Sequence, residues 1–109
     1  MSSILRFKSS AWPFHTANHN EQTLPGFGGR SPAQSLQEFL GPPCWVFPEA
    51  WGWRVGAAPG EEAQVFQESA GPGWSAVTLR VGPKSTLAFE QRLEDWARQI
   101  GEHVEWQRN

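Results

Sequence analysis

Hydrophobic positions alternate with two different periods along this chain of 109 residues. Residues 3–8 place Leu5 and Phe7 on one side and Arg6 and Lys8 on the other, the period-two pattern of a half-buried strand. Residues 9–31 lose that rhythm. Pro13, Pro25, Gly26, Gly28 and Gly29 fall within them, which predicts a long Gly/Pro-containing loop of the functional or mobile kind. Ser31-Pro32 then reads as a helix start, with serine as N-cap, proline at the first helical position and Gln34 placed to close a capping box. Leu36, Phe39 and Leu40 form its buried stripe, and Gly41-Pro42-Pro43 ends it.

From residue 44 to 82 the period returns to two. Trp51, Trp53 and Val55 fall on one strand face by spacing. Gln64, Phe66 and Glu68 alternate with Ala63, Val65 and Gln67, and Ser75, Val77, Leu79 and Val81 alternate with Ala76, Thr78 and Arg80. Ala58-Pro59-Gly60 and Ala70-Gly71-Pro72-Gly73 read as turns, so an antiparallel meander is expected. Phe89, Leu93, Trp96, Ala97 and Ile100 then follow one helical stripe. Ser85 or Thr86 can cap this helix, Glu94 and Arg98 form a favourable i,i+4 pair, and Gly101 suits the residue after its end. Val104 and Trp106 alternate with polar neighbours in a last short strand.

The predicted order is β-α-β-β-β-α-β, an α+β fold with a small antiparallel sheet and both helices on one face. It is close to the ferredoxin-like split βαβ pattern with one strand added. The length suits a single domain over residues 1–109 with one core.

Composition adds an oddity: seven tryptophans and no tyrosine. Tryptophan is bulky, carries one N–H donor and is enriched at binding hot spots. Trp96 and Trp106 are assigned to the core by phase. The Trp51/Trp53 pair shares a face whose side the spacing leaves open; a sheet this short needs bulk to close, which favours the core. Trp74 is out of phase with Val77, Leu79 and Val81, and Trp12 lies in the long loop, so both are surface candidates. At least one of Trp45, Trp51, Trp53 and Trp74 is expected to be partly exposed at a functional surface.

Nine basic residues against eleven acidic give a net charge of −2 with no basic run, which argues against duplex nucleic acid. The acids lean toward the C-terminus, where a solvated helix face explains them and a basic partner would also fit. A single cysteine, Cys44, excludes an internal disulfide. The N-terminal residues are too polar for a signal peptide and no stretch has membrane-spanning length, so a cytoplasmic protein is expected.

Candidate chemistry is sparse. His15 and His19 have a metal-ligand spacing, but Pro13, Asn18 and Asn20 argue for loop, and solvent-facing histidines are the simpler account. Glu21, Cys44 or His103 would have to complete such a site. Cys44 beside Trp45 and Val46 reads as a buried inert thiol rather than half of a nucleophilic pair with histidine. Gly28, Gly29, Arg30 and Ser31 lead into a helix N-terminus, a physical recipe for anion binding that a tight turn explains equally well. No catalytic residue, metal or cofactor is assigned.

The expected function is therefore a small non-enzymatic domain that occludes a protein partner, of the inhibitor, immunity or anti-defence type. Trp12, Trp45, Trp51, Trp53 and Trp74 are its candidate anchors, and the partner is expected to be basic. Two alternatives stand beside it. One is single-stranded nucleic-acid binding on sheet aromatics near Arg54 and Arg80. The other is a phosphate or small-ligand protein using the Gly-rich loop and Arg30. Either a monomer or a homodimer fits.

Overall fold

The alternation of Leu5 and Phe7 with Arg6 and Lys8 becomes strand β1 (Ser3–Ser9) in the computed structural model, which describes residues 3–11, 31–57, 59–71 and 73–108. The chain continues through helix α1 (Pro32–Leu40) and four strands: β2 (Trp45–Glu49), β3 (Gly52–Gly56), β4 (Glu62–Ser69) and β5 (Ser75–Val81). Helix α2 (Leu87–Ile100) and strand β6 (Glu102–Arg108) complete it. The six strands form one sheet in the order β2-β3-β4-β5-β1-β6, antiparallel throughout. Helix α2 carries the chain from β5 to β6, and β1 lies between those two strands.

The fold is thus a small α+β arrangement with an antiparallel sheet and two helices, with one strand more than the sequence pattern predicts. The extra strand is β2. Pro48 within its run argues against a strand, yet proline is tolerated at a sheet edge, where its missing N–H breaks no ladder bond.

Both helices cover the same face. Helix α1 packs on β2, β3 and β4, helix α2 on β1 and β6, and the helices touch each other. Leu5, Phe7, Trp53, Val55, Val65, Val77, Leu79 and Val81 point into this layer, where they meet Leu36, Phe89, Leu93 and Trp96. Each buried apolar side chain contributes about 1.5–3 kcal/mol relative to exposure. This is where the fold's cohesion lies.

The helix ends follow the local sequence. Ser31 accepts from the Gln34 backbone N–H at 3.1 Å, and the Gln34 side chain accepts from the Ser31 N–H at 3.3 Å, a complete capping box. Thr86, not Ser85, caps α2 by accepting from Phe89 N–H at 3.1 Å. The Ser85 hydroxyl donates instead to buried Glu90 at 2.6 Å. Gly101 closes the helix end as the sequence predicts, but for a different reason. Its φ is −143°, extended rather than left-handed, so the helix end does not need its conformational freedom. It is needed for space: a Cβ there would meet the Phe7 ring and stand 2.6 Å from the Lys8 carbonyl oxygen.

Strand β6 is clasped to α2 by polar groups. The Trp106 indole donates to Glu94 at 2.7 Å, and Arg98 donates to the other Glu94 oxygen at 2.9 Å. Arg108 donates to Glu90 and lies over the Trp106 ring at 4.3 Å. Trp106, expected in the core, is half-buried with one ring edge in this network.

Gly101→Ala should cost about 1–3 kcal/mol in urea unfolding, through overpacking against β1. Hydrogen bonds from Arg98 and then Trp106 hold the Glu94 carboxyl below its ordinary value of 4.5, against the opposing effect of desolvation. A lowered folded-state value stabilises the fold above the ordinary range, and the contribution is lost as pH falls through the lowered value. Glu94→Gln should therefore reduce stability at neutral pH and flatten its decline in acid, as measured by urea midpoints across that range.

Candidate functional site

Since the helices cover one face of the sheet, the other has no layer over it among the described residues. Register sets what it displays. Phe47 stands opposite Arg54, Arg54 opposite Gln64, Gln64 opposite Arg80 and Arg80 opposite Ile4, forming one row across the sheet. Phe66, Thr78 and Arg6 form the next row. Trp45 lies beside the first row on β2, opposite Gly56.

Two aromatic pairs occupy the β2–β4 half of this face. The rings of Trp45 and Phe47 are 5.2 Å apart, tilted by 49°. Trp45 rests directly on Gly56, where a Cβ would stand 2.6 Å from the indole Cε2. Trp51 and Phe66 make the second pair, at 5.0 Å and 33°. The Arg54 guanidinium carbon lies 5.8 Å from the Trp45 ring and 5.6 Å from that of Phe47, within reach of cation–π attraction. Its Nε is 3.0 Å from a Glu49 carboxylate oxygen and its Nη1 3.4 Å from one of Glu62. Such exposed ion pairs add little stability, but together they fix the guanidinium on its rings.

The expectation that Trp51 and Trp53 share a face is overturned. Trp53 is 3% exposed and lies in the core, while Trp51 is 42% exposed and stacks on the opposite face. The rule of alternation fails because Trp51 is not in the strand. Glu49 pairs with Gly52, so Ala50 and Trp51 are the two residues of a hairpin turn. Gly52 leaves that turn at φ +155°, where a Cβ would run into the Val65 carbonyl, so only glycine fits. The turn releases Trp51 to fold back over Phe66.

The other candidates divide. Trp45 is half-buried on the open face, and Trp74 is half-buried in the β4–β5 connection. Trp12, His15, His19, Gly28, Gly29 and Arg30 lie outside the described residues. Ser31 is described, and its backbone N–H and hydroxyl are both engaged with Gln34 in the capping box. Phe47, at 53% exposure, is a further exposed aromatic on this face, and its alternation with Val46 in phase with Trp45 is the signal that marks it. Phe66 was legible too, since it shares a phase with Gln64 and Glu68.

Residues with reactive groups are dispersed. Cys44 precedes β2 at one sheet edge and His103 lies in β6 at the other, about 24 Å away by five strand spacings, so they cannot form a pair. Burial pushes the Cys44 thiol up, against a lowering influence of the nearby Arg92 charge. Among the described residues no cluster of three or more His, Cys, Asp or Glu side chains is placed to hold a metal ion. No helix among them is long and apolar enough to cross a membrane.

Truncation should separate the two neighbouring tryptophans. Trp53→Ala should cost about 3–5 kcal/mol, the range for emptying an aromatic core position. Trp51→Ala should cost about 1 kcal/mol, the worth of an exposed aromatic pair. Urea unfolding of both variants measures the difference. Comparison with protein-family models, with curated proteins and with solved structures found no match for this chain.

Proposed function

We propose that the uncovered sheet face is a protein-docking surface and that the chain acts as a small non-enzymatic domain occluding a protein partner. The observation that carries this reading is the exposure of Phe47 and Trp51 on the same face as a fixed Arg54. Aromatic residues and arginine dominate binding hot spots because they bring large contact area with few rotatable bonds. Here Gly56, Phe66 and two carboxylates already hold these groups in place, so less ordering entropy is lost on docking.

The surroundings favour a partner with a basic rim. Glu49 and Glu62 flank one guanidinium, and exposed Glu68 lies on the same face, which leaves that half of the sheet negative. The C-terminal acids contribute less than their number suggests, because Glu90 and Glu94 are engaged by Arg108, Arg98 and Trp106. Arg54, the cation lying over Trp45 and Phe47, is held between two carboxylates, which weighs against nucleic-acid bases stacked on those rings, since such bases need a free cation beside them. Pro48 blunts edge strand β2, so contact through the face suits this surface better than addition of a strand.

Inhibitors, immunity proteins and anti-defence proteins use this mode of action, and a lone free thiol suits the cytoplasm. The relation to ferredoxin-like folds belongs to the same proposal: β4-β5-β1-β6 with the two helices gives the split βαβ core, and the β2–β3 hairpin widens it.

The test is affinity capture followed by binding measurements on the captured protein. Wild-type chain should bind it stoichiometrically, with affinity falling as salt rises. Phe47→Ala with Trp51→Ala should weaken binding by about 100-fold or more, as for paired hot-spot residues. Leu87→Ala, at an exposed apolar residue on α2, should leave it unchanged. A failure to find any stoichiometric partner, or equal binding by the double variant, overturns the proposal.

A further inference from the structure

A second feature of the open face lies where the β3–β4 turn meets the loop between β5 and α2. A cleft of about 500 Å³ opens there, bounded by Gly60, Glu62, Gln64, Arg80, Gly82 and Lys84. Small-molecule sites fall in this size range. Pro83 adds an apolar wall.

The rim is fixed by bonds that predate any ligand. Gly60 has φ +83°, and a Cβ on it would stand 3.4 Å from the Lys84 carbonyl oxygen, so the two loops lie against each other. Ser85 N–H donates to the Gly82 carbonyl at 3.2 Å. The Ser85 hydroxyl reaches buried Glu90, anchoring the loop that carries Lys84 to helix α2.

The charge of the cleft is opposite to that of the chain. Arg80 and Lys84 are exposed, and neither makes an ion pair among the described residues. Glu62 is the carboxylate at the rim, and it is turned to Arg54 at 3.4 Å. Two cationic residues without an ion-pair partner among the described residues therefore line one concavity in a protein whose net charge is −2.

We propose that this cleft binds a small phosphate monoester, with Arg80 and Lys84 on the phosphoryl oxygens and the organic group against Pro83. The guanidinium offers a planar fork to two oxygens, and the ammonium is a point charge for a third. A phosphate monoester is close to a dianion at neutral pH and matches two cations, where a carboxylate would match one. The cleft shares the open face but none of the exposed aromatic side chains lines it, and its assignment does not rest on the docking reading.

The probes are inorganic phosphate and phenyl phosphate, titrated into the full chain at low salt while backbone amide resonances are followed by NMR. Saturable shifts at Gly60, Gly82 and Lys84 are expected, with phenyl phosphate binding more tightly than inorganic phosphate because of the Pro83 wall. Arg80→Gln with Lys84→Gln should weaken phenyl phosphate by at least about tenfold. Both side chains are exposed, so unchanged Val65 and Leu79 resonances will report an intact fold. Phe47→Ala with Trp51→Ala should leave phosphate binding intact, which separates failure of this proposal from failure of the docking surface. Two results overturn it: no saturable shift up to about 10 mM, beyond the weak limit of specific binding, or equal affinity in the Arg80/Lys84 variant. Equal affinity for the two probes would remove Pro83 from the site and overturn the assignment to a monoester.

Discussion

The indole of Trp96 is the contact on which the helical layer depends. It meets the Phe7 ring edge-on at 5.3 Å and 88°, which joins α2 to β1. Its N–H donates to the Ser35 hydroxyl at 3.1 Å, which joins α2 to α1. A fully buried indole needs a partner for that N–H, and Ser35 provides it from the neighbouring helix. One side chain thus fixes two helices and an interior strand relative to each other. With both helices gathered on one side, the sheet has a covered face and an open one, and every candidate site described above follows from that asymmetry.

Among the described residues the open face is ordered without a second layer. Its aromatics are seated in pairs, Trp45 on Gly56 beside Phe47 and Trp51 on Phe66, and Arg54 lies over the first pair between two carboxylates. Aromatic side chains are normally withdrawn from water because burying them is favourable. Here part of their area remains outside, held by neighbours rather than by a core. A surface arranged in this way has few degrees of freedom left to lose on contact.

Charge is distributed unevenly over the described residues. Arg54, Arg98 and Arg108 each have carboxylate partners, and these pairs brace a hairpin, a helix and the last strand. Arg80 and Lys84 have none among the described residues and stand at a cleft. The contrast arises from register, because Arg80 is flanked across the sheet by Gln64 and Ile4 rather than by acids. Two regions of one face are therefore chemically different, one aromatic and acidic, the other cationic and concave.

Elements whose signals are local could be read from the chain alone. The stripe from Phe89 to Ile100, the capping box at Ser31 and Gln34, and the alternation in β1, β4 and β5 are relations between residues at most a few positions apart along one element, and the structure contains all of them. Phe66 was readable in the same way, as an aromatic in the polar phase of its strand. The place of Trp51 was not readable in this way, because a hairpin turn cancels the alternation that would put it beside Trp53. Nor was the reason that residue 101 is glycine, since the obstacle is the Phe7 ring and the Lys8 carbonyl, more than ninety positions earlier in the chain. The cleft at Gly60 and Lys84 was illegible for the same reason. Hydrophobic period is a property of neighbours in sequence, whereas turn geometry, cross-strand pairing and close approach are set by segments that meet only once the sheet has formed.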